Sequence, residues 1–360
     1  MPTVIESWQL EAPNTPLVRQ SQPFDSASLA ADEVLIEVAG CGVCHTDLGF
    51  AYDGVRTRHP LPLTLGYEIA GRVAQAGASS GFEPGELVVV PAVIPCGQCE
   101  ACEGGRGAVC THQIFPGNDA HGGFASHVVV PARGLCRVDA AALEASGIAL
   151  ADLAVVADAV TTPYQAVVNA ELKAGDLAIF IGIGGVGGFG VQIAKALGAT
   201  VVAIDVDERR LVRIGVHGAD LCLPSGESRA VRKAIRTFAK EHGLPSIGWK
   251  IFETSGHPAG QELAYGLLGP DAHLGVVGYT RERINLRLSN LIAFDATARG
   301  TWGCLPEHYA AAVNLVLSGA VELGPFVEQF PMSSINEVFD RLHHHGAELR
   351  PVLIPDFDLK

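Results

Sequence analysis

Between Val34 and about Val138 the apolar residues fall in short β-branched runs, among them Val34-Leu-Ile-Glu-Val38, Leu87-Val-Val-Val90 and His127-Val-Val-Val130, separated by glycine, proline and polar clusters. Runs of this length bounded by turn residues predict strands, and a succession of them predicts a barrel-like β domain. From about Ala166 to Gly300 the texture changes. Leu177 to Ile181 reads as a strand, Gly190 to Leu197 carries the helical period, and Val201 to Ile204 reads as a strand again. Strands alternating with amphipathic helices predict βαβ units on a parallel sheet. In the final segment Pro306 to Leu317 is predicted helical and Val352-Leu-Ile354 a closing strand that rejoins the first domain. The expectation is an α/β chain of two domains, with 1–160 and 301–360 forming one and 161–300 the other.

Composition narrows the function classes. With 39 acidic against 25 basic side chains, a net charge of −14, the surface repels polyanions such as nucleic acid. No stretch reaches the roughly 20 apolar residues of a bilayer span, and none has the flanks of a signal peptide. The chain is therefore expected to be soluble and cytoplasmic and to act on a small molecule, with neither nucleic acid nor membrane as partner.

Cys96-Gly-Gln-Cys99-Glu-Ala-Cys102, followed by Cys110, sets four of the nine cysteines at a spacing that can close a tetrahedron around one metal ion. Thiolates in that pattern predict a structural zinc lobe. The competing reading, a pair of disulfides, calls for an oxidising compartment and usually a much smaller chain. Cys41, Cys136, Cys222 and Cys304 are expected to be small buried apolar residues.

Gly182-Ile-Gly184-Gly185-Val186-Gly187 directly follows the strand Leu177 to Ile181 and opens the helical run through Leu197. In that context the glycines form a dinucleotide fingerprint: the first permits a tight turn, the second lets a pyrophosphate approach the backbone, and the third lets helix and strand pack closely. The phosphate then lies at a helix N-terminus. Asp205, roughly 20 residues beyond, ends the next strand, where a carboxylate accepts hydrogen bonds from ribose hydroxyls and repels a 2'-phosphate. NAD is favoured over NADP. Arg210 either stacks on adenine and neutralises phosphate or is a surface residue of the next helix.

A zinc lobe within a β domain that precedes a nucleotide-binding unit resembles the zinc-containing medium-chain alcohol dehydrogenases. Gly40-Cys-Gly-Val-Cys-His-Thr-Asp47, Gly66-Tyr-Glu68, the four-cysteine lobe, Thr161-Thr-Pro-Tyr164 and the glycine fingerprint occur in that family's order along nearly the whole chain. The resemblance implies a GroES-like β-barrel catalytic domain and a Rossmann NAD-binding domain. It implies that Cys44, Asp158 and Glu68 are the ligands or near neighbours of a catalytic zinc. Thr46 would take the substrate alcohol's proton, Asp47 would support the ligands from behind, His45 would lie near the cofactor pyrophosphate, and Thr162 at the nicotinamide. A dimer or tetramer is implied too, with its interface around Leu274 to Leu291. Val38-Ala-Gly-Cys-Gly-Val-Cys-His-Thr-Asp-Leu-Gly49, Tyr52-Asp-Gly54 and Gly122-Gly-Phe-Ala-Ser-His127 are similar to members that oxidise a cyclic alcohol carried on a CoA thioester. For such a substrate Phe50, Tyr52, Phe115, Phe124 and Trp302 are candidates for an apolar slot, with ordinary core packing the alternative for each, and Arg56, Arg58 and Arg299 for a basic strip, with solvated surface charge the alternative.

Two positions depart from the family. Tyr67 stands where a histidine is the second catalytic zinc ligand, and a phenol with an ordinary pKa of about 10 is a poor ligand. Either zinc is held by Cys44, Glu68 and Asp158, as a weaker Lewis acid, or the site is metal-free and Tyr67 is a hydrogen-bonding or proton-donating group. Gly49 stands where many relatives keep a histidine that passes the proton to solvent, a task left to His45 or water. Three readings follow: NAD-dependent oxidation of a secondary alcohol, a metal-poor relative acting on a conjugated double bond, and a non-enzymatic dinucleotide-binding protein.

Overall fold

The computed structural model describes residues 3–345 and 348–357. The chain forms two compact units, one of residues 1–158, 303–317 and 323–360, the other of residues 159–302 and 318–322. Among the described residues no single helix is long and apolar enough to cross a membrane.

The first unit is built on a seven-stranded sheet. Its path runs Val327–Pro331, Arg350–Ile354, Glu33–Gly42, Glu68–Ala76, Leu87–Val90 and Cys136–Val138, and His127–Pro131 also pairs with Glu33–Gly42. Only the Val327–Pro331 and Arg350–Ile354 pair is parallel. The runs of valine and isoleucine that predicted these strands are buried on both faces, as in Leu87–Val90, where all four residues are inside. Continuous apolar runs rather than alternation are what a two-sided core demands. A three-stranded sheet of Val18–Pro23, Val4–Leu10 and Leu63–Thr64 packs beside it.

Register in this sheet builds the first functional centre. Gly42, at the end of Glu33–Gly42, pairs with Glu68 on one side and Val352 on the other. Cys44 follows at once as the N-cap of the short helix His45–Ala51, Tyr67 immediately precedes the strand that opens at Glu68, and Arg350 heads the closing strand. Asp158 arrives from a buried 3-10 helix, Leu150–Ala157, as its C-cap residue. Five side chains drawn from four parts of the sequence thus meet at one end of the sheet.

The second unit is a six-stranded, wholly parallel sheet in the order Leu221–Pro224, Thr200–Asp205, Leu177–Ile181, Lys250–Glu253, His273–Val276 and Thr297–Gly300. Helices connect successive strands, so the expected βαβ texture is realised as a doubly wound sheet. The strand order reverses between Leu177–Ile181 and Lys250–Glu253, which is where such sheets open a ligand crevice at their carboxyl ends. Ser228–Glu241 shows the amphipathic logic plainly: Val231, Ile235 and Ala239 face the core at helical spacing while Arg229, Lys233, Arg236 and Lys240 stay outside.

Candidate active site and nucleotide site

The centre of the first unit is crowded with acids. One ligand atom each from Cys44, Glu68 and Asp158 lie within 4.8 Å of one another. Tyr67, 3% exposed, donates its phenolic O–H to Asp158 Oδ2 at 3.1 Å, and the ring of Phe115 meets it edge-on with centroids 4.7 Å apart. Glu68 is fully buried and bonded by both arms of the Arg350 fork: Nε donates to Oε2 at 3.1 Å and Nη2 to Oε1. Burial alone would lower the Arg350 pKa, but the facing Cys44 and Glu68 outweigh it and hold the guanidinium charged. Arg350 carried no local motif, and its only trace in the sequence is a charged residue at the head of the apolar run 350–354.

Asp47 is 1% exposed and ties the two walls of this centre together. Its Oδ2 accepts from Cys44 N at 2.9 Å and its Oδ1 from Gly66 N at 3.1 Å. Burial raises its pKa to about 7 against the pull of these donors. Burial, and then the charges of Asp158 and Cys44, hold the Tyr67 phenol well above its ordinary value, so it stays protonated. Thr46 Oγ1 lies 3.9 Å from Cys44 Sγ, and His45 is exposed on the first turn of the helix.

The four lobe cysteines also converge. Cys99 Sγ lies 3.5 Å from Cys102 and 3.6 Å from Cys110, and Cys96 Sγ 4.0 Å from Cys102. Sulfurs at the corners of a zinc tetrahedron with bonds of about 2.3 Å stand about 3.8 Å apart, so this set fits. Backbone N–H groups of Cys96 and His112 donate to Cys110 Sγ at 3.3 Å each, support that a thiolate needs. No disulfide links the nine cysteines.

In the second unit the glycine loop divides its labour as the fingerprint requires. Gly182 sits at φ +91°, and a Cβ there would come within 2.5 Å of Ser255 Cα. At Gly187 a Cβ would meet Thr254 Oγ1 at 2.6 Å, so both are packing positions. At Gly184 the nearest atom is Arg210 Nη1 at 3.9 Å, and Gly185 is exposed: the loop is open there, the cradle a pyrophosphate needs. Val186 caps the helix Gly187–Ala196. Asp205, 4% exposed, ends Thr200–Asp205, with Oδ2 accepting from Ile183 N at 2.5 Å and Oδ1 from Asp207 N at 2.8 Å. It therefore shapes the loop, and each oxygen keeps a second lone pair for a further donor. Arg210 Nη1 lies 3.8 Å from Asp205 Oδ2. Thr162 is buried in the helix Thr161–Asn169. Thr254, which carried no sequence motif, braces the same loop, its Oγ1 donating to Gly182 O at 2.7 Å, and Glu253 Oε1 holds the neighbouring turn by accepting from Ser255 N at 2.8 Å and Gly256 N at 3.1 Å.

A family model described as alcohol dehydrogenase GroES-like domain matches residues 30–140, and one described as zinc-binding dehydrogenase matches residues 185–318. Together they span more than half of the chain. The chain belongs to the zinc-containing medium-chain alcohol dehydrogenases, oxidoreductases that act on CH–OH groups. An alcohol dehydrogenase of Geobacillus stearothermophilus is 28% identical over 329 residues, covering 90% of this chain and 92% of its own. The L-threonine 3-dehydrogenase of Bacillus velezensis is 29% identical over 335 residues, with 91% and 93% covered. Among solved structures, the alcohol dehydrogenase of the archaeon Aeropyrum pernix superimposes with a TM-score of 0.83 at 28% identity, over 97% of this chain and 100% of that one.

Membership implies zinc, and the two cysteine-bearing sites of this dehydrogenase answer differently. The lobe offers four sulfurs at tetrahedral spacing and would hold the ion in a closed, purely structural site. At the centre the three donors can reach one ion, but Glu68 only by giving up Arg350. Of the aromatic candidates, Phe115 lies at this centre against Tyr67, whereas Phe50 and Phe124 are buried in the apolar core of the unit, Phe124 edge-on to Phe339 at 5.7 Å. Tyr52 stacks on His343 with centroids 4.3 Å apart, and Trp302 is 54% exposed. Arg58 pairs with Asp119 at 3.4 Å, Arg56 is exposed, and Arg299 lies on the edge strand of the second unit.

Proposed function

We propose that this chain catalyses the NAD-dependent oxidation of a secondary alcohol to a ketone by hydride transfer. The observation that carries the reading is the Gly182–Gly187 loop, open at Gly184 and closed at Gly182 and Gly187, with the Asp205 carboxylate beneath it. Bound NAD⁺ supplies the hydride acceptor. The loop and the N-terminus of Gly187–Ala196 would hold its pyrophosphate, Asp205 and Arg210 its adenosine end, and Thr162 the nicotinamide. Asp205 disfavours a 2'-phosphate at that position.

The substrate class we propose is a cyclic alcohol, carried on a CoA thioester as for 6-hydroxycyclohex-1-ene-1-carbonyl-CoA dehydrogenase. Support comes from the resemblance of segments 38–49, 52–54 and 122–127, and from the Phe115 and Tyr67 rings beside the acidic cluster. A homo-oligomer, dimer or tetramer, in the cytoplasm completes the reading.

Reduction of NAD⁺ and of NADP⁺, followed at 340 nm with cyclic secondary alcohols as free acids and as CoA thioesters, tests it. NAD⁺ reduction with a kcat/KM well above that for NADP⁺ is expected, and turnover of no alcohol with either cofactor would sink the reading. A second reading, addition of hydride to a conjugated enone or enoyl double bond, is favoured by Tyr67, since that reaction needs less polarisation at oxygen and a phenol can supply its proton. Oxidation of NADH by such substrates in the absence of alcohol turnover would select it.

A further inference from the structure

Among the described residues the cluster around Cys44 contains one buried cation, Arg350, and Glu68 engages it through both oxygens. A catalytic zinc takes three protein ligands and keeps a fourth position open. Recruiting Glu68 as the third would break a buried fork of two charge-assisted hydrogen bonds and strand a guanidinium that is 6% exposed, which is strongly unfavourable. Without Glu68 the donors are Cys44 and Asp158, and Asp158 already accepts from Tyr67 at 3.1 Å. Tyr67 fills the place where the family's nitrogen ligand stands, held edge-on by Phe115. The donor set falls one ligand short of a zinc site, and what occupies the gap is an oriented phenol bonded to a carboxylate.

We propose that this centre works without a catalytic metal, and that Tyr67 is its catalytic acid–base residue, with Asp158 as the acceptor behind it. The proposal deepens the alcohol-oxidation reading and rests on it for its substrate. The substrate hydroxyl donates to Tyr67 Oη while the Tyr67 O–H donates to Asp158 Oδ2. The carbinol C–H bond breaks with its electron pair leaving as hydride, whose acceptor is the oxidised nicotinamide of the proposed reaction. The O–H bond breaks in concert, its electrons become the second C–O bond of the ketone, and its proton passes to Tyr67 Oη as the phenol's own proton moves to Asp158. The products are ketone, reduced nicotinamide and a neutral Asp158 carboxyl. In reverse the same pair delivers a proton to the carbonyl oxygen. Asp158 is partly exposed, so its proton can exchange with water between turnovers. Because the phenol gives up one proton as it takes another, it need never stand as a buried phenolate.

Elemental zinc analysis of the purified full-length protein and of Tyr67→His and Tyr67→Phe tests this, alongside kcat and NADH affinity. The expectation is one zinc per chain in the wild type and in Tyr67→Phe, and two in Tyr67→His, where the third ligand is restored. Tyr67→Phe should bind NADH as the wild type does but lose about a hundredfold or more in kcat, the range a positioned acid–base group supplies. Two zincs per wild-type chain would overturn the proposal whatever the substrate, and so would a Tyr67→Phe variant with undiminished kcat. If no alcohol is turned over, the function reading fails, yet one zinc in the wild type still supports the metal-free centre. Should Tyr67→His fold poorly, the wild-type zinc count and the kcat of Tyr67→Phe decide.

Discussion

Gly182 shows how a single residue is fixed by what surrounds it. Its φ of +91° lies in the left-handed region, and a methyl group would run into Ser255 at 2.5 Å. Gly182→Ala should therefore cost upward of about 2 kcal/mol, from left-handed strain of about 1–2 kcal/mol with the overlap added. NADH titration and thermal unfolding check it; a variant with wild-type melting and affinity would mean the loop relaxes freely. Glu253, one strand away, carries a pH signature. It is fully buried, and burial raises its pKa despite the N–H donors of Ser255 and Gly256. A carboxyl whose pKa is raised by folding contributes stability that is full below its unfolded value of about 4.3 and lost as pH rises through the folded value. Glu253→Gln, neutral throughout, should gain on the wild type in melting temperature as pH rises above the unfolded value of about 4.3, whereas parallel curves would refute the assignment. The placement of residues inside short motifs, such as Gly182 in a tight turn and Asp205 at a strand end, was legible in the sequence because each motif is local. Arg350 was not, since its partner Glu68 is 282 positions away and nothing but strand register joins them. Phe50 and Phe124 take the core-packing alternative that was open for them, because an aromatic type alone does not say whether it faces a ligand or the core.

At the scale of elements, the apolar runs read well where burial is two-sided. Leu87–Val90 and Leu177–Ile181 occupy the predicted positions, while the helix predicted at Gly190 to Leu197 starts earlier, at Gly187, because the glycine loop hands over directly to its first turn. The eight-residue 3-10 helix Leu150–Ala157 was invisible, its apolar run having neither strand alternation nor helical period. The cysteine lobe has less regular structure to hold it closed without a metal than the sheets on either side of it in sequence. From Cys96 to Cys110 it contains one four-residue α-helix and a three-residue 3-10 turn, with few buried side chains to hold it closed. Cys99 is drawn down to about 6 by the Cys102 N–H and Cys96 is lowered by the Gln98 N–H, whereas burial pushes Cys110 up to about 11, so two of the four thiols are readied to give up protons to a cation. Cys99→Ser, or chelation of the native protein, should release one zinc per chain and open this lobe to protease. Mapping of the cut sites provides the check: cleavage within 96–113 of the chelated form only is expected, and equal resistance with and without zinc would refute a structural role.

Over the whole molecule, the feature that most needs a partner is the free edge of the second unit's sheet. Thr297–Gly300 pairs with His273–Val276 on one side only, and all four of its residues are exposed. A flat, unprotected edge strand invites pairing with another chain unless something blunts or covers it. Nearby in sequence stand Tyr279 at 78%, Leu288 at 69% and Ile292 at 85% exposure, apolar side chains in a protein whose surface otherwise carries a net charge of −14. Exposed apolar groups close in sequence to an open edge are what an association surface would carry. Tyr279 and Leu288 fall inside the segment Leu274 to Leu291 expected from the sequence and Ile292 follows it directly, while Leu274 itself is buried within the sheet. We expect a homodimer that pairs these edges about a two-fold axis, since a strand meeting its own copy antiparallel satisfies both rows of backbone groups at once. Ile292→Lys in combination with Leu288→Lys should shift sedimentation equilibrium toward monomer while leaving NADH affinity within about twofold, as both side chains lie outside the glycine loop. A variant that keeps the wild-type assembly would place the interface elsewhere. A wild type that is monomeric at micromolar concentration would leave the open edge to be guarded by its charged residues, Arg299 foremost, which is the other way such an edge survives in solution.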